Sequence, residues 1–317
     1  MHQVLMFVLF AITAFAIVGI FRSVSGHAIS SSTEIKSGLT GDCLDVYHDT
    51  KLAGSKVDAY GCNNTASQAW NVNNITIKHD NLCLSVINNG QSSGDNVDLE
   101  KCNNSPGEIW LTNENGLYNP NSQLCMTVPG NHLGVQLNMT SCKDTNKANE
   151  QWSSPMLTIN CSGINTQGDR IACFAEKEWE TWTSPTSNHN GLLTTYTDGA
   201  PYEEWCADFV SYVYKEAGYP FAEGETNGWD ESNANNVVNQ GFTTYYPGSY
   251  IPKPGDVGYF DYDGGHVEIV ISGGKQPTFI YGNSGTTDPA TGNGEMAANT
   301  MTSDGSIGNI VYYMNPN

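Results

Sequence analysis

Three tryptophans set the frame for the first half of this chain. Trp70, Trp110 and Trp152 each lie 27 residues after a cysteine: Cys43, Cys83 and Cys125. Each unit opens on a similar hexapeptide (GDCLDV, NLCLSV, QLCMTV) and closes on QAW, EIW or EQW. Short runs between them, VDAY, VDLE and VQLN, alternate apolar with polar residues between Gly and Asn turns, and read as strands. A unit of about 40 residues is too small to bury its own apolar face, so three in-phase copies must share one core.

Nine cysteines follow the same logic. Cys43 and Cys62 are 19 apart, Cys83 and Cys102 19, Cys125 and Cys142 17, and Cys161 and Cys173 flank a short junction. Pairing each couple uses eight cysteines and leaves Cys206. An export signal would supply the oxidising compartment that such pairing needs. The apolar run VLMFVLFAITAFAIVGIF, ending at Phe21, precedes the small residues SVSGHA. It reads as a signal peptide cleaved after Ser25 or Ala28, or as an uncleaved anchor, with a buried core helix the remaining alternative. Residues 1–28 are assigned to it, and a secreted or membrane-anchored, extracytoplasmic protein is expected.

The 317 residues suffice for two domains, and the formal net charge of −20 excludes a nucleic-acid partner, which needs a basic footprint. Anionic polymers or lipids would be repelled as well, so short-range contacts must hold any such target.

The repeats resemble the ricin-type β-trefoil lectins over residues 33–155. That resemblance implies structural tryptophans and a sugar site built from an aspartate two after the first cysteine, an aromatic platform two before the second, and polar residues near the tryptophan. The first unit matches with Asp45, Tyr60 and Gln68, and Asp58 joins them as a candidate, falling where the family usually has a polar residue; Ser67 stands where asparagine is common. A carboxylate accepts paired hydrogen bonds from sugar hydroxyls while an aromatic face covers the C–H side of the ring. The second unit has Ser85 and Glu100 at the two main positions and the third Thr127 and Thr140, so the first unit is the expected site. A turn-capping Asp45 and a bystander Tyr60 would be the purely structural alternative.

Beyond a Ser/Pro linker at 156–164 the texture changes. Ile171–Trp182 places Ile171, Phe174, Ala175, Trp179 and Trp182 on one helical side. A second helix carries Phe209, Val210, Val213, Tyr214 and Ala217 on one face and stops at Gly218. Strand-like runs DVGYF, HVEIVIS, TFIYG and NIVYYM come last, so residues 165–317 read as an α+β domain. Cys206 opens the second helix, where the macrodipole favours a thiolate, although Glu203, Glu204 and Asp208 oppose it. His189 sits in a polar loop with nothing to fix its ring. His266 begins a strand whose face also holds Glu268 and Val270, and is expected to aim at the helix start. A disulfide half, an inert core cysteine and a nucleophile are the three readings of Cys206.

WCADFV, PGDVGYF, HVEIV and YGNSG, in that order, resemble the CHAP family of cysteine- and histidine-dependent amidohydrolases and peptidases. The resemblance implies a papain-like α+β fold, cleavage of amide bonds in peptidoglycan, Cys206 as nucleophile and His266 as base. Asn283 matches the residue that orients the imidazole in the asparagine version, with Glu268 its rival and Tyr281 standing where many relatives have glutamate. No zinc spacing remains once the cysteines pair, and Asp261 and Asp263 in DYDGG supply too few ligands for calcium, so neither metal nor cofactor is expected.

Together the halves read as a multidomain, monomeric exported peptidoglycan hydrolase, an N-acetylmuramoyl-L-alanine amidase or endopeptidase acting on stem peptides and targeted by its lectin module. The alternative is a secreted lectin or adhesin whose second domain binds without cleaving.

Overall fold

The computed structural model describes residues 33–39, 41–73, 75–113, 116–130, 133–142, 148–199, 204–221, 241–261, 265–301 and 310–316. The N-terminal segment assigned to export, Glu203 and Asp263 lie outside them.

Twelve short strands make up the first half: β1 (Lys36–Ser37), β2 (Cys43–Val46), β3 (Ser55–Tyr60), β4 (Asn71–Asn73), β5 (Thr76–His79), β6 (Leu82–Val86), β7 (Val97–Lys101), β8 (Leu111–Asn113), β9 (Gly116–Asn119), β10 (Leu124–Thr127), β11 (Asn138–Thr140) and β12 (Trp152–Ser153). They pair in one eight-stranded and one four-stranded antiparallel sheet, stitched together by bridges such as Asp58 to Gln136 and Asn96 to Asn138. The threefold repeat reappears in the core. Leu44, Leu84 and Met126 form one layer and Val57, Val97 and Leu137 another, all buried in one apolar cluster. Each repeat tryptophan donates its indole N–H to a carbonyl 26 residues back: Trp70 to Leu44, Trp110 to Leu84 and Trp152 to Met126, at 2.8–2.9 Å. A buried indole needs such a partner, which explains why tryptophan and not phenylalanine closes each unit.

The second half contains α1 (Gln167–Trp182), α2 (His189–Tyr196) and α3 (Cys206–Glu216). A six-stranded antiparallel sheet follows, ordered β13-β18-β14-β15-β16-β17, from β13 (Thr243–Tyr245), β14 (Val257–Phe260), β15 (His266–Ser272), β16 (Thr278–Tyr281), β17 (Ala297–Thr300) and β18 (Ile310–Asn315). Val257, Val267, Ile269, Ile271 and Ile280 face α1 and α3, while Phe260, Val270, Phe279, Tyr281 and Tyr313 form a separate cluster. Strand alternation divides the residues in this way. Gly218, at φ 91°, ends α3 in the left-handed region that only glycine enters without penalty.

The two halves share a core. Ile75, Ile109, Leu111 and Tyr118 of the first pack with Ile171, Ala172, Ala175 and Trp179 of α1. Tyr118 stacks on Trp179 with ring centroids 5.5 Å apart, Trp179 donates its indole N–H to the Thr112 carbonyl at 2.9 Å, and the Tyr118 hydroxyl donates to the Ala298 carbonyl at 3.1 Å. Each of these polar tips is satisfied across the seam, so the apolar contact is specific as well as large.

Disulfides join Cys43–Cys62, Cys83–Cys102, Cys125–Cys142 and Cys161–Cys173. Cys206 is a free thiol and is buried.

Candidate active site and glycan-binding face

Cys206 is the first residue of α3 and only 1% exposed. Trp205, just before it, is fully buried in an aromatic stack, 5.3 Å from the Trp182 ring and 5.6 Å from that of Tyr196. Its indole lies flat over Gly282, where any Cβ would run into the ring. This packing fixes the direction in which the chain enters the helix.

Backbone N–H groups of Val267 and Ala207 bond the Cys206 sulfur and favour its ionisation. Burial nevertheless dominates, and with the charges of Glu204 and Asp208 it pushes the thiol up to about 12. The helix terminus was expected to stabilise a thiolate; loss of water from around the sulfur is the larger effect. Disulfide pairing is ruled out for this cysteine by the free thiol.

His266 opens β15 opposite Phe260 on β14 and is 5% exposed. Its ring meets the edge of Tyr281 at 5.0 Å, and Nε2 lies 3.9 Å from Oε1 of Glu268, whose side chain is fully buried. Burial lowers the imidazole to about 4. The expected sharing of a strand face by His266 and Glu268 holds, but α3 packs on the other face, through Val267 and Ile269. The amide that bonds the sulfur is that of Val267, the residue next to His266, while the ring itself rests against Tyr281 and Glu268.

On the first half, Asp45 and Asp58 stand directly opposite each other in the β2–β3 ladder. Asp45 accepts a hydrogen bond from the Ser67 hydroxyl at 2.9 Å. Asp58 is 1% exposed with the Lys56 ammonium 3.6 Å away, and burial raises it to about 6 against the pull of that lysine. Facing carboxylates repel; the lysine and partial neutralisation of Asp58 offset this. Beside them Tyr60 is 50% exposed.

Residues 31–153 match the ricin-type beta-trefoil lectin domain, and residues 195–283 match the CHAP domain. The chain carries both, in that order. Among solved structures it is similar to the designed threefold-symmetric protein ThreeFoil (21% identity, 38% of this chain and 94% of that one, TM-score 0.34). It is also similar to the agglutinin of Abrus precatorius (20%, 39% and 48%, 0.35). A third is a non-toxic homologue of type II RIPs from Momordica charantia, in complex with α-methyl-D-galactoside (25%, 38% and 46%, 0.34). The matched region spans less than half of the latter two chains. No curated protein matches.

Within the lectin domain Gln68 is 1% exposed and fully engaged. Its amide oxygen accepts from the Asn63 N–H at 2.8 Å and its amide nitrogen donates to the Gly61 carbonyl at 3.1 Å. Glu108, its counterpart in the second repeat, holds the N–H groups of Asn103 and Asn104 in the same manner. Gln68 therefore props the loop that contains Gly61 and Asn63. Tyr47, which the motif does not include, is 43% exposed with the Lys56 ammonium 4.3 Å from its ring centroid. Its place directly after CLDV is the signal that marks it.

Within the CHAP domain Asn283 takes φ 59°, a left-handed conformation that asparagine tolerates, and turns its amide oxygen toward Gly294. His189 is not loose. It stacks on Trp182 at 4.2 Å, Nδ1 meets Asp288 Oδ2 at 2.7 Å and Nε2 meets the Trp182 carbonyl at 2.8 Å. These two contacts tie α2 to the segment after β16. Asp288 is 99 residues away in sequence, and no local pattern announces it.

Proposed function

We propose that this chain is an exported peptidoglycan hydrolase that cuts amide bonds with Cys206 and is held to its target through the first lectin repeat. The carrying observation is the position of Cys206: it has no disulfide, opens α3, and its sulfur is bonded by the amide next to His266. In this reading a substrate carbonyl carbon is attacked by the sulfur as the thiol proton passes to the His266 imidazole. The imidazolium then gives that proton to the departing amine. A thioester on Cys206 remains, and water, deprotonated by the same imidazole, hydrolyses it. Because Nε2 is turned to Glu268, Nδ1 is the nitrogen available to the thiol. Glu268, closer to the ring by this geometry than the asparagine motif implied, takes the orienting role, and Asn283 shapes the turn beside it.

Four disulfides suit an oxidising compartment, in keeping with export. No helix among the described residues is long and apolar enough to cross a membrane. Asp45, Asp58 and Tyr60 would take the sugar, with Tyr47 at the rim.

A second reading rests on the same thiol. Closed to solvent and pushed up to about 12, it suits a domain that grips wall peptides without cutting them. Purified protein incubated with cross-linked peptidoglycan separates the two. Hydrolysis releases one new amino group per cut, and Cys206→Ala abolishes that release while retaining glycan binding. Equal release by both proteins refutes cysteine catalysis; binding without release by either establishes the adhesin.

A further inference from the structure

The seam between the two domains contains a cleft of about 740 Å³, lined by neither Cys206 nor Asp45. The β4–β5 hairpin and the loop after the Cys83–Cys102 disulfide form one wall; α1 and the turn between β15 and β16 form the other. Lys78 lines it from the lectin side, Lys253 and Lys275 from the CHAP side. In a chain with 13 lysines and arginines against 33 acids, three lysines in one cleft invert the local charge. The lysines seen in ion pairs with carboxylates include Lys36, Lys51 and Lys56, and none of the three cleft lysines is among these. Asp256 attracts Lys253 at longer range.

Two acids also line the cleft. The Asp169 carboxylate takes the Thr166 hydroxyl. Glu176, 2% exposed on α1, is raised by burial to about 8 and so adds no negative charge at neutral pH. Ile75 and Ile109 supply an apolar floor, and the Asn103 and Asn104 amides flank it. A volume of this size holds a short oligomer. Lysines on opposite walls suit charges spaced along that oligomer, while amides and an apolar floor suit hydroxyls and ring faces.

We propose that the interdomain cleft binds a carboxylate-bearing oligosaccharide, with its carboxylates on Lys78, Lys253 and Lys275. The site is separate from the trefoil sugar position and does not depend on thiol chemistry. It also answers the repulsion that a charge of −20 imposes on an anionic target: the rest of the surface repels, and this cleft attracts.

Calorimetric titration of the full chain with trigalacturonic acid and with its methyl ester tests this. The acid should bind, more weakly as salt rises, and the ester should not. Replacing all three residues (Lys78→Ala, Lys253→Ala, Lys275→Ala) should weaken binding about tenfold or more, whereas Lys51→Ala, Lys177→Ala and Lys215→Ala together should not. Tyr60→Ala should leave it unchanged. Equal binding of acid and ester, equal loss in both triple variants, loss in Tyr60→Ala, or no binding of the acid overturns the proposal. The six lysine side chains reach solvent, so the triple variants compare charge and not folding.

Discussion

The glycan-binding face and the thiol site treat solvent in opposite ways. Tyr60 and Tyr47 are 50% and 43% exposed, whereas Cys206 and His266 are 1% and 5%. An exposed aromatic platform meets a sugar ring with no rearrangement. The buried pair instead keeps both members neutral at rest, the thiol at about 12 and the imidazole at about 4. Burial opposes the thiolate and the imidazolium alike. The resting pair is therefore neutral, and in the proposed mechanism proton transfer accompanies attack on a bound carbonyl. In the proposed function, recognition is preformed on one domain and chemistry waits for substrate on the other.

The sharpest way to break this contrast is to remove the base. His266→Ala should lower kcat/KM for amide cleavage by about 10³-fold or more and leave glycan affinity unchanged. Parallel loss of both would mean that the variant unfolds, which circular dichroism detects. Glu268→Gln should cost about 10²-fold in kcat with KM little changed, since the carboxylate 3.9 Å from Nε2 supports the imidazolium that forms during attack. Asn283→Ala should cost less. A reversed order would return the orienting role to the asparagine.

Protonation gives a further separation. If the resting pair is neutral, kcat/KM falls only below the imidazole value of about 4 and stays level across pH 6–9. A preformed ion pair would lose activity on the alkaline side of neutrality as its imidazolium gives up the proton. The same histidine bears on stability. Unfolded, it takes up a proton near 6.5; folded, only near 4, so its contribution is intact above 6.5 and is lost as pH falls through that window. On the open face, Tyr60→Ala should reduce glycan affinity about tenfold with no effect on cleavage of soluble wall fragments.

What the sequence disclosed divides along similar lines. Period made the trefoil legible, because a core residue such as Leu44 recurs as Leu84 and Met126 at fixed spacing. Helix and strand patterns likewise placed Cys206 at a helix start and His266 at a strand start. Local pattern could not reveal which sheet face α3 would choose, because both faces of β15 are apolar beyond Glu268 and the choice rests on packing with α1. It was equally silent on the shared core, where Tyr118 meets Trp179, 61 positions further along the chain. Residue type was also weak guidance where neighbours decide the role. Gln68 matches a binding motif and supports a loop, while His189 lies in a polar stretch and contacts a distant aspartate.

The smallest expected effect tests the open face itself. Asp58 is raised to about 6, chiefly by burial and against the pull of Lys56. In the proposed sugar site an ionised carboxylate would accept hydrogen bonds from sugar hydroxyls; protonated, it would give up part of that capacity. Glycan affinity should therefore rise about two- to threefold as pH passes upward through 6, with a proton released on binding below that point. Stability should move the other way, because a carboxyl raised in the folded state favours folding most below its unfolded value and loses that advantage as pH climbs to about 6. Asp58→Asn should flatten both curves, keeping the side chain's shape while removing its charge. An affinity step that survives in this variant would assign the titration to another group and leave Asp45 as the only carboxylate facing the sugar.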